Sequence, residues 1–412
     1  MNHLYLATLV TFAASCTSGP GNTSGNHEAA PGGDTSNPAK RGSPVEDVRA
    51  ACGSDGALTA AGTIITRQPY LQQVTPTSAI VGWVTSNPDG QRVVFTHPDG
   101  KKVMEAGGTV DEKALRVGNA RQMWSQASGL EPNTIYCYGL SGSGDMTSRV
   151  GFRTAPADDS NGPVRFLVFG DSGGGSNGFT DQFALLDQMS TVPYELMFHT
   201  GDIAYDNGSM AEFEDNVFSV YAELFRHIPF FPAPGNHEYR ATADAAPFRS
   251  VFSLPGGTGD TWYSYDWGQV HLASLDTEAD YDTQIAWLDQ DLATSNKPWK
   301  IVYLHRPPYS SGAHGSDTNL QTKLAPVLKK HGVQVVFAGH DHNYERMIPQ
   351  DGVAYIVTGG GGRGTRPVGT SSFTAYSSAV IHFVYGEING DEMTLHAIDA
   401  TGKEFDSQVI TR

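Results

Sequence analysis

The chain has 412 residues and a formal charge of −17 at pH 7, with 44 Asp and Glu against 27 Lys and Arg. That length holds roughly two or three domains with sizeable cores. The charge repels phosphate backbones and no stretch forms a basic patch, which argues against a nucleic-acid partner. A small phosphate-bearing substrate stays open, because a metal pair can reverse the local potential.

Leu4 to Ala14 is an apolar stretch too short to span a bilayer, placed where the hydrophobic part of an export signal belongs. It runs into Ala13-Ala14-Ser15-Cys16, which resembles a bacterial lipoprotein processing site. A lipidated Cys16 would be a membrane tether; ordinary cleavage near Ser15 is the alternative. Either route exports the protein to an outer surface, a periplasm or the medium. Cys52 and Cys137 then remain in an oxidising compartment, where an even pair can form a disulfide.

After this signal, residues 1–16, the segment 17–61 is expected as a flexible tether. From Thr17 to about Arg49 it is Gly, Ser, Asn, Pro and Thr with few large apolar residues, too little to bury. Short β signals separated by turn clusters follow from about Ile64 to Pro156, among them Ser78 to Val84, Val93 to Phe95 and Thr134 to Tyr138. This spacing predicts a small all-β sandwich over 62–156.

From Val164 the pattern becomes apolar strands alternating with helices, the mark of βαβ construction and an α/β domain over 163–412. Strands are predicted at Val164 to Phe169, Leu196 to His199, Val270 to Leu275, Ile301 to Leu304, Val333 to Ala338 and Ala354 to Val357. Phe213, Val217, Val220, Tyr221 and Leu224 predict one helix face. Ile285, Leu288 and Leu292 predict a second; Leu320, Leu324, Val327 and Leu328 a third, with Gly332 as its C-terminal cap. The tail from His382 to Ile410, with turn signals at Asn389-Gly390-Asp391 and Ala400-Thr401-Gly402, reads as strands that finish this domain.

Five short motifs follow apolar runs in order: Gly170-Asp171-Ser172-Gly173, Gly201-Asp202-Ile203-Ala204-Tyr205, Gly235-Asn236-His237-Glu238, Tyr303-Leu304-His305-Arg306 and Gly339-His340-Asp341-His342. The carboxyl ends of strands are where an α/β protein gathers ligands. Two metal ions about 3.5 to 4 Å apart can clamp an in-line displacement at phosphorus, which needs a bridging carboxylate and hard or borderline donors on each side. Asp202 is the natural bridge. Asp171, Tyr205 and His342 can complete one ion, and Asn236, His305 and His340 the other.

These motifs, with Gln68-Pro69-Tyr70-Leu71-Gln72, Trp287-Leu288-Asp289 and Asn343-Tyr344-Glu345-Arg346 around them, resemble the purple acid phosphatases of the calcineurin-like metallophosphoesterase superfamily. The resemblance covers almost everything after the tether. It implies a β-sheet sandwich flanked by helices, preceded by a fibronectin type III-like domain in which Tyr136 is the corner tyrosine. Cys137 would then face away from Tyr136 and Tyr138, so that a bond to Cys52 would fasten the preceding segment to the outside of that sandwich. In the wider superfamily a His follows two residues after the first Asp; Gly173 stands there here, and Tyr205 is the substitution that marks the purple subgroup. The resemblance therefore implies ferric iron held by Asp171, Asp202, Tyr205 and His342, with phenolate as a hard anionic donor giving a charge-transfer colour. A divalent ion, zinc, manganese or iron, would be held by Asp202, Asn236, His305 and His340.

His237 and His314 are left as catalytic candidates for the leaving group and the phosphate oxygens. Taken singly, each residue also has a bland reading, since an Asp after a strand is commonly a turn residue. Glu238 is expected to orient a ligand rather than bind metal, and Asp341 to point away from the ions. Arg306 and Tyr309 are candidates for the pocket wall. His199, His271, His331, His382 and His396 are expected to be structural. Gly359 to Gly362 predict a tight turn beside the metal loops, because no Lys-bearing helix follows. The whole predicts an exported phosphomonoesterase acting on a small phosphate ester by in-line attack of a metal-bound hydroxide. A phosphodiesterase with the same centre and a surface binding protein with a vestigial enzyme body are the competing readings.

Overall fold

The computed structural model describes residues 41–53, 65–141, 149–174, 178–256 and 261–412. The export signal, Cys16 and most of the tether lie outside the described residues.

One part of the expected tether is ordered. Glu46–Cys52 is a helix with Val48 and Cys52 buried, against the flexible segment predicted for 17–61. Two contacts explain the difference. Cys52 is disulfide-bonded to Cys137 with Cα atoms 5.6 Å apart, and Val45 and Val48 join an apolar cluster with Tyr194 and Ile228. Composition counted the small polar residues and underweighted these three anchors.

Two four-stranded antiparallel sheets follow. In spatial order one contains Ile65–Gln72, Ser78–Thr85, Arg121–Ser128 and Thr109–Val110, the other Lys102–Gly107, Arg92–Thr96, Ile135–Ser141 and Val150–Arg153. Their inner faces share one core containing Val81, Trp83, Phe95, Tyr136, Tyr138 and Phe152. The Glu131 N–H donates to Tyr136 Oη at 3.0 Å, the bond expected of a corner tyrosine. The motif around Tyr70 bolts this body to the next one. Tyr70 Oη donates to the Val251 carbonyl at 2.7 Å, and Gln72 Oε1 accepts from the Ser253 N–H at 3.0 Å.

Beyond Val164 the chain forms two larger sheets packed face to face. The first runs Phe230–Pro232, Leu196–His199, Val164–Phe169, His382–Asn389, Glu392–Asp399 and Glu404–Thr411 in spatial order. The second runs Tyr263–Trp267, Val270–Ser274, Trp299–Leu304, Val335–Ala338, Ala354–Thr358, Tyr344–Met347 and Thr374–Ser378. The tail thus completes the first sheet. Strand alternation divides the core: Phe166 and Val168 meet Tyr303 and Phe337 between the sheets, while Leu167 and Phe169 face outward to Leu185 and Met189 of the helix Thr180–Met189. On the opposite side Leu288, Leu292, Leu320 and Leu328 cover Val302, Leu304 and Val336. The result is the predicted α/β architecture, a sheet sandwich flanked by helices and preceded by an all-β region.

Two predicted helices are broken. Phe213, Val217, Val220, Tyr221 and Leu224 are all buried together, but they span Met210–Phe213, a π-helical turn Glu214–Phe218 and Ala222–Phe225. The wide turn is held from outside, because Gln182 Nε2 donates to the Asn216 carbonyl at 2.8 Å and Asn216 Oδ1 accepts the Gly174 N–H at 2.9 Å. The third helix splits into Thr318–Lys323 and Ala325–Lys330, where Pro326 removes a backbone donor. Gly332 ends it with φ 63°.

Candidate metal centre

In the first sheet Leu196–His199 lies parallel to Val164–Phe169 and Phe230–Pro232. In the second, Val270–Ser274, Trp299–Leu304, Val335–Ala338 and Ala354–Thr358 are parallel neighbours. All five motifs therefore leave their strands at carboxyl ends, and their loops converge. Convergence is tight enough that a Cβ at Gly235 would overlap the Asp202 carboxylate and one at Gly170 would overlap Thr200 Oγ1. Asp171, Asp202 and His340 have φ of 56°, 54° and 70°. That left-handed conformation is unfavourable for non-glycine residues and persists only where surroundings enforce it. The enforcing bonds are present: the His340 N–H donates to Asp171 Oδ2 at 2.8 Å and the Asp202 N–H to Glu238 Oε2 at 2.9 Å.

Seven side chains meet in two groups that share one atom. Tyr205 Oη lies 3.1 Å from Asp171 Oδ1, 3.1 Å from Asp202 Oδ2 and 3.3 Å from His342 Nε2. His305 Nε2 lies 3.2 Å from the same Asp202 Oδ2, 3.2 Å from Asn236 Oδ1 and 3.1 Å from His340 Nδ1. His305 Nδ1 is 2.9 Å from the Thr200 carbonyl, which can only accept, so a proton sits there and Nε2 is the nitrogen that faces the other donors. Carboxylate, amide, phenol and imidazole ligand atoms thus crowd together, electron-rich atom against electron-rich atom. Cations relieve that repulsion, and the set of hard and borderline donors fits a pair of them.

Electrostatics agree with this fit. Burial, then the Asp171 and Asp202 charges, push the Tyr205 phenol well above its ordinary range, so a phenolate forms there only against a cation. Burial alone would lower His305, but the Asp202 carboxylate overrides it and raises the imidazole to about 10, so without a cation Nε2 also carries a proton, which a bound ion would displace. Burial raises Asp202, yet His305 and His237 hold its carboxyl below the usual range. Burial, followed by the His305 charge, lowers His340 to about 2, which keeps it a neutral donor.

The flanking groups divide as expected, with one exception. Glu238 accepts four backbone N–H groups, from Asp202, Ile203, Ala204 and Gly235, and so fixes two motif loops from behind. Asp341 faces away from the donors and holds the His314 N–H at 2.8 Å. His237 packs on Tyr205 with ring centroids 4.2 Å apart, its Nδ1 2.7 Å from the Asp206 carbonyl and its Nε2 3.7 Å from Asp202 Oδ2. His314 stacks on His340 at 4.0 Å. The Gly359–Gly362 turn closes on the Asp171 loop, with the Gly361 N–H donating to the Gly170 carbonyl at 2.8 Å. Tyr309 is the exception: it packs on Tyr355 and Phe373, at 4.8 and 5.5 Å, away from the donors. Arg306 does border a cavity of about 380 Å³ together with His314 and His340.

Sequence reasoning missed Arg366, which donates to His314 Nε2, and Glu278, which binds Arg306. No spacing rule marks either one, because each reaches the site from a loop outside the motifs.

A two-sheet sandwich that gathers Asp, His, Asn and Tyr donors at its strand ends defines a metallophosphoesterase, and residues 164–344 match the calcineurin-like phosphoesterase family. Acid phosphatase type 7 of Homo sapiens is 28% identical over 396 residues, covering 82% of this chain and 88% of that protein. The probable purple acid phosphatase 20 of Arabidopsis thaliana is 28% identical over 325 residues, covering 72% and 74%. Among solved structures, purple acid phosphatase PPD1 from yellow lupin (Lupinus luteus) seeds superposes with a TM-score of 0.73 at 21% identity, covering 84% of this chain and 74% of that one. The chain carries a calcineurin-like metallophosphoesterase domain homologous to the purple acid phosphatases. It is a metal-dependent hydrolase of that class, and this homology implies a dinuclear metal centre.

Proposed function

We propose that the protein is an exported acid phosphatase that hydrolyses phosphomonoesters by in-line displacement. The observation that carries this reading is Asp202 Oδ2, the one oxygen common to both donor groups. Asp171, Asp202, Tyr205 and His342 would hold ferric iron, and Asp202, Asn236, His305 and His340 a divalent ion, zinc, manganese or iron. When bound, the two ions supply charge that offsets the phosphate dianion and lower the pKa of water enough to make a nucleophile without a protein base.

The chain's own residues do the rest. The Asp206 carbonyl holds a proton of His237 at Nδ1 and turns Nε2 toward Asp202, so only the doubly protonated ring, with a second N–H at Nε2, would bond a phosphate oxygen or protonate the leaving oxygen. His314 has its Nε2 taken by Arg366 and its face on His340, which suits it to shaping the pocket and contacting phosphate oxygens. Burial, then Arg366, keeps His314 below the usual imidazole range. Export, with or without a lipid on Cys16, is supported by the Cys52 and Cys137 disulfide, a bond of oxidising compartments. The corner bond at Tyr136 supports a fibronectin type III-like reading of the front sandwich.

The test is hydrolysis of p-nitrophenyl phosphate beside the bis(p-nitrophenyl) diester, from acid to alkaline pH, on protein loaded with iron plus zinc or manganese. Monoester preference with an acid optimum supports the proposal; diester preference replaces it with the phosphodiesterase reading. Silence on both, with metal bound, would move the weight to a binding role.

A further inference from the structure

We infer that Arg306 selects the leaving group, and that the preferred substrates carry a second anionic group on the alcohol side of the scissile ester. This rests on the phosphatase reading above.

The guanidinium of Arg306 is divided between two tasks. Nε and Nη2 donate to Glu278 Oε1 and Oε2 at 2.6 and 3.0 Å, a two-bond fork that fixes the plane of the group. The Glu278 side chain is 17% exposed and that of Arg306 33%, so the carboxylate is shielded while the guanidinium keeps an open side. Nη1 is left out of the fork and reaches His340 Nε2 at 3.3 Å. The other nitrogen of that ring, Nδ1, faces the His305 donor group. Arg306 therefore stands across an imidazole from the metal donors, at the wall of the 380 Å³ cavity, and not among them.

The cavity opens beside His340 and His314 at the edge of the donor set, which leaves room there for the leaving portion of a bound ester. Besides Arg306 and His340, the cavity presents His314, Ser316, Thr318 and Asn319, and among the described residues its lining has no phenyl or indole ring. Asp317 also borders it, but its carboxylate already accepts the Asn319 and Leu320 N–H groups and the Tyr281 hydroxyl. Arg363 is engaged with the Gly174 carbonyl and Asp206. Nη1 carries two N–H groups and only one can point at His340 Nε2; the other can only donate, so its partner is an acceptor, and a carboxylate or phosphate is the strongest one available. Glu278 offsets the long-range charge of Arg306, which makes the recognition directional and short in range.

The experiment uses the full metal-loaded chain and two phosphonates whose C–P bonds are not hydrolysed, 2-carboxyethylphosphonate and propylphosphonate, with affinities measured by titration calorimetry. The wild type is expected to bind the carboxylated probe about tenfold more tightly, the scale of one charge-assisted bond. In Arg306→Gln that ratio falls to about one, and in Glu278→Gln, where the fork is lost, it falls part of the way. The ratio within each variant is the readout, so a weakened centre lowers both affinities without changing it. Equal affinities in the wild type, or a preference that survives Arg306→Gln, would overturn the inference alone. If neither phosphonate binds the metal-loaded wild type, the phosphatase reading falls and this inference falls with it.

Discussion

The Glu238 carboxylate accepts the Asp202 backbone N–H at 2.9 Å, so a side chain from one motif loop sets the backbone of another at the shared oxygen of the site. With Ile203, Ala204 and Gly235 also donating to it, Glu238 is the anchor of a strained turn whose Asp202 has φ 54°. Replacing it with Gln puts an amide N–H₂ against some of those donors. Glu238→Gln is expected to weaken metal retention roughly 10- to 100-fold, the range for groups that orient ligands. Metal content after dialysis against a graded chelator checks it; unchanged retention would show that the loops hold themselves.

Tyr205 should control the colour of the protein. Its phenol is pushed well above the ordinary range by burial, Asp171 and Asp202, so the metal-free protein keeps it neutral through mildly alkaline pH. Adding ferric iron is expected to displace that proton and produce a visible charge-transfer band. Tyr205→Phe should lack the band while still binding divalent zinc through Asp202, Asn236, His305 and His340. A band that persists in the variant would remove Tyr205 from the ligand set.

His271 gives the fold a pH limit remote from the centre. Its Nδ1 lies 2.7 Å from Asp266 Oδ1 and its Nε2 2.8 Å from Asp291 Oδ2, with Lys297 Nζ 3.6 Å from Asp266. Burial lowers the imidazole, but the two carboxylates raise it to about 9. The folded value is above the unfolded one, so the stabilisation is complete below about pH 6.5 and is lost as pH rises through about 9; it amounts to about 3 kcal/mol at most. The gap in Tm between wild type and His271→Gln should be widest at pH 6 and close by pH 9.5. A gap independent of pH would contradict a charged His271.

The disulfide should matter to the fold and not to the centre. It closes a sequence separation of 85 residues, for which the chain-entropy model gives about 4.5 kcal/mol. The double variant Cys52→Ala with Cys137→Ala is expected to unfold at lower denaturant concentration with unchanged metal stoichiometry. Two free thiols at these positions in the denatured, unreduced wild type would refute the bond itself.

Much of the fold is legible in the amino-acid pattern. The apolar runs at Val164 and Leu196 form strands with the predicted limits, because burial on both faces of a parallel strand leaves a continuous apolar signature. The seven donor candidates are legible for a related reason: each sits at or just past a strand end, and in four of the five motifs close approach selects a glycine in the same short loop. What the sequence obscures are effects of contacts distant along the chain. The run from Phe213 to Leu224 has a helical apolar period, yet Gln182 and Gly174, reaching it from elsewhere, hold it as a π turn. Glu46–Cys52 has the composition of a tether and is ordered by partners 84 or more residues away.

The sequence by itself therefore determined an inventory: six strands from Val164 to Val357, the strands of the tail and the donor types, but not the strands Phe230–Pro232, Tyr263–Trp267, Tyr344–Met347 and Thr374–Ser378. Only the tertiary structure decided that Tyr309 turns into an aromatic cluster with Tyr355 and Phe373, that Arg366 takes His314, and that Glu278 aims Arg306 beside His340. Local periodicity records which side of an element is buried. Which charged side chains meet across a cleft depends on how separate loops pack, and a loop residue carries no periodic trace of a partner that it meets only after folding.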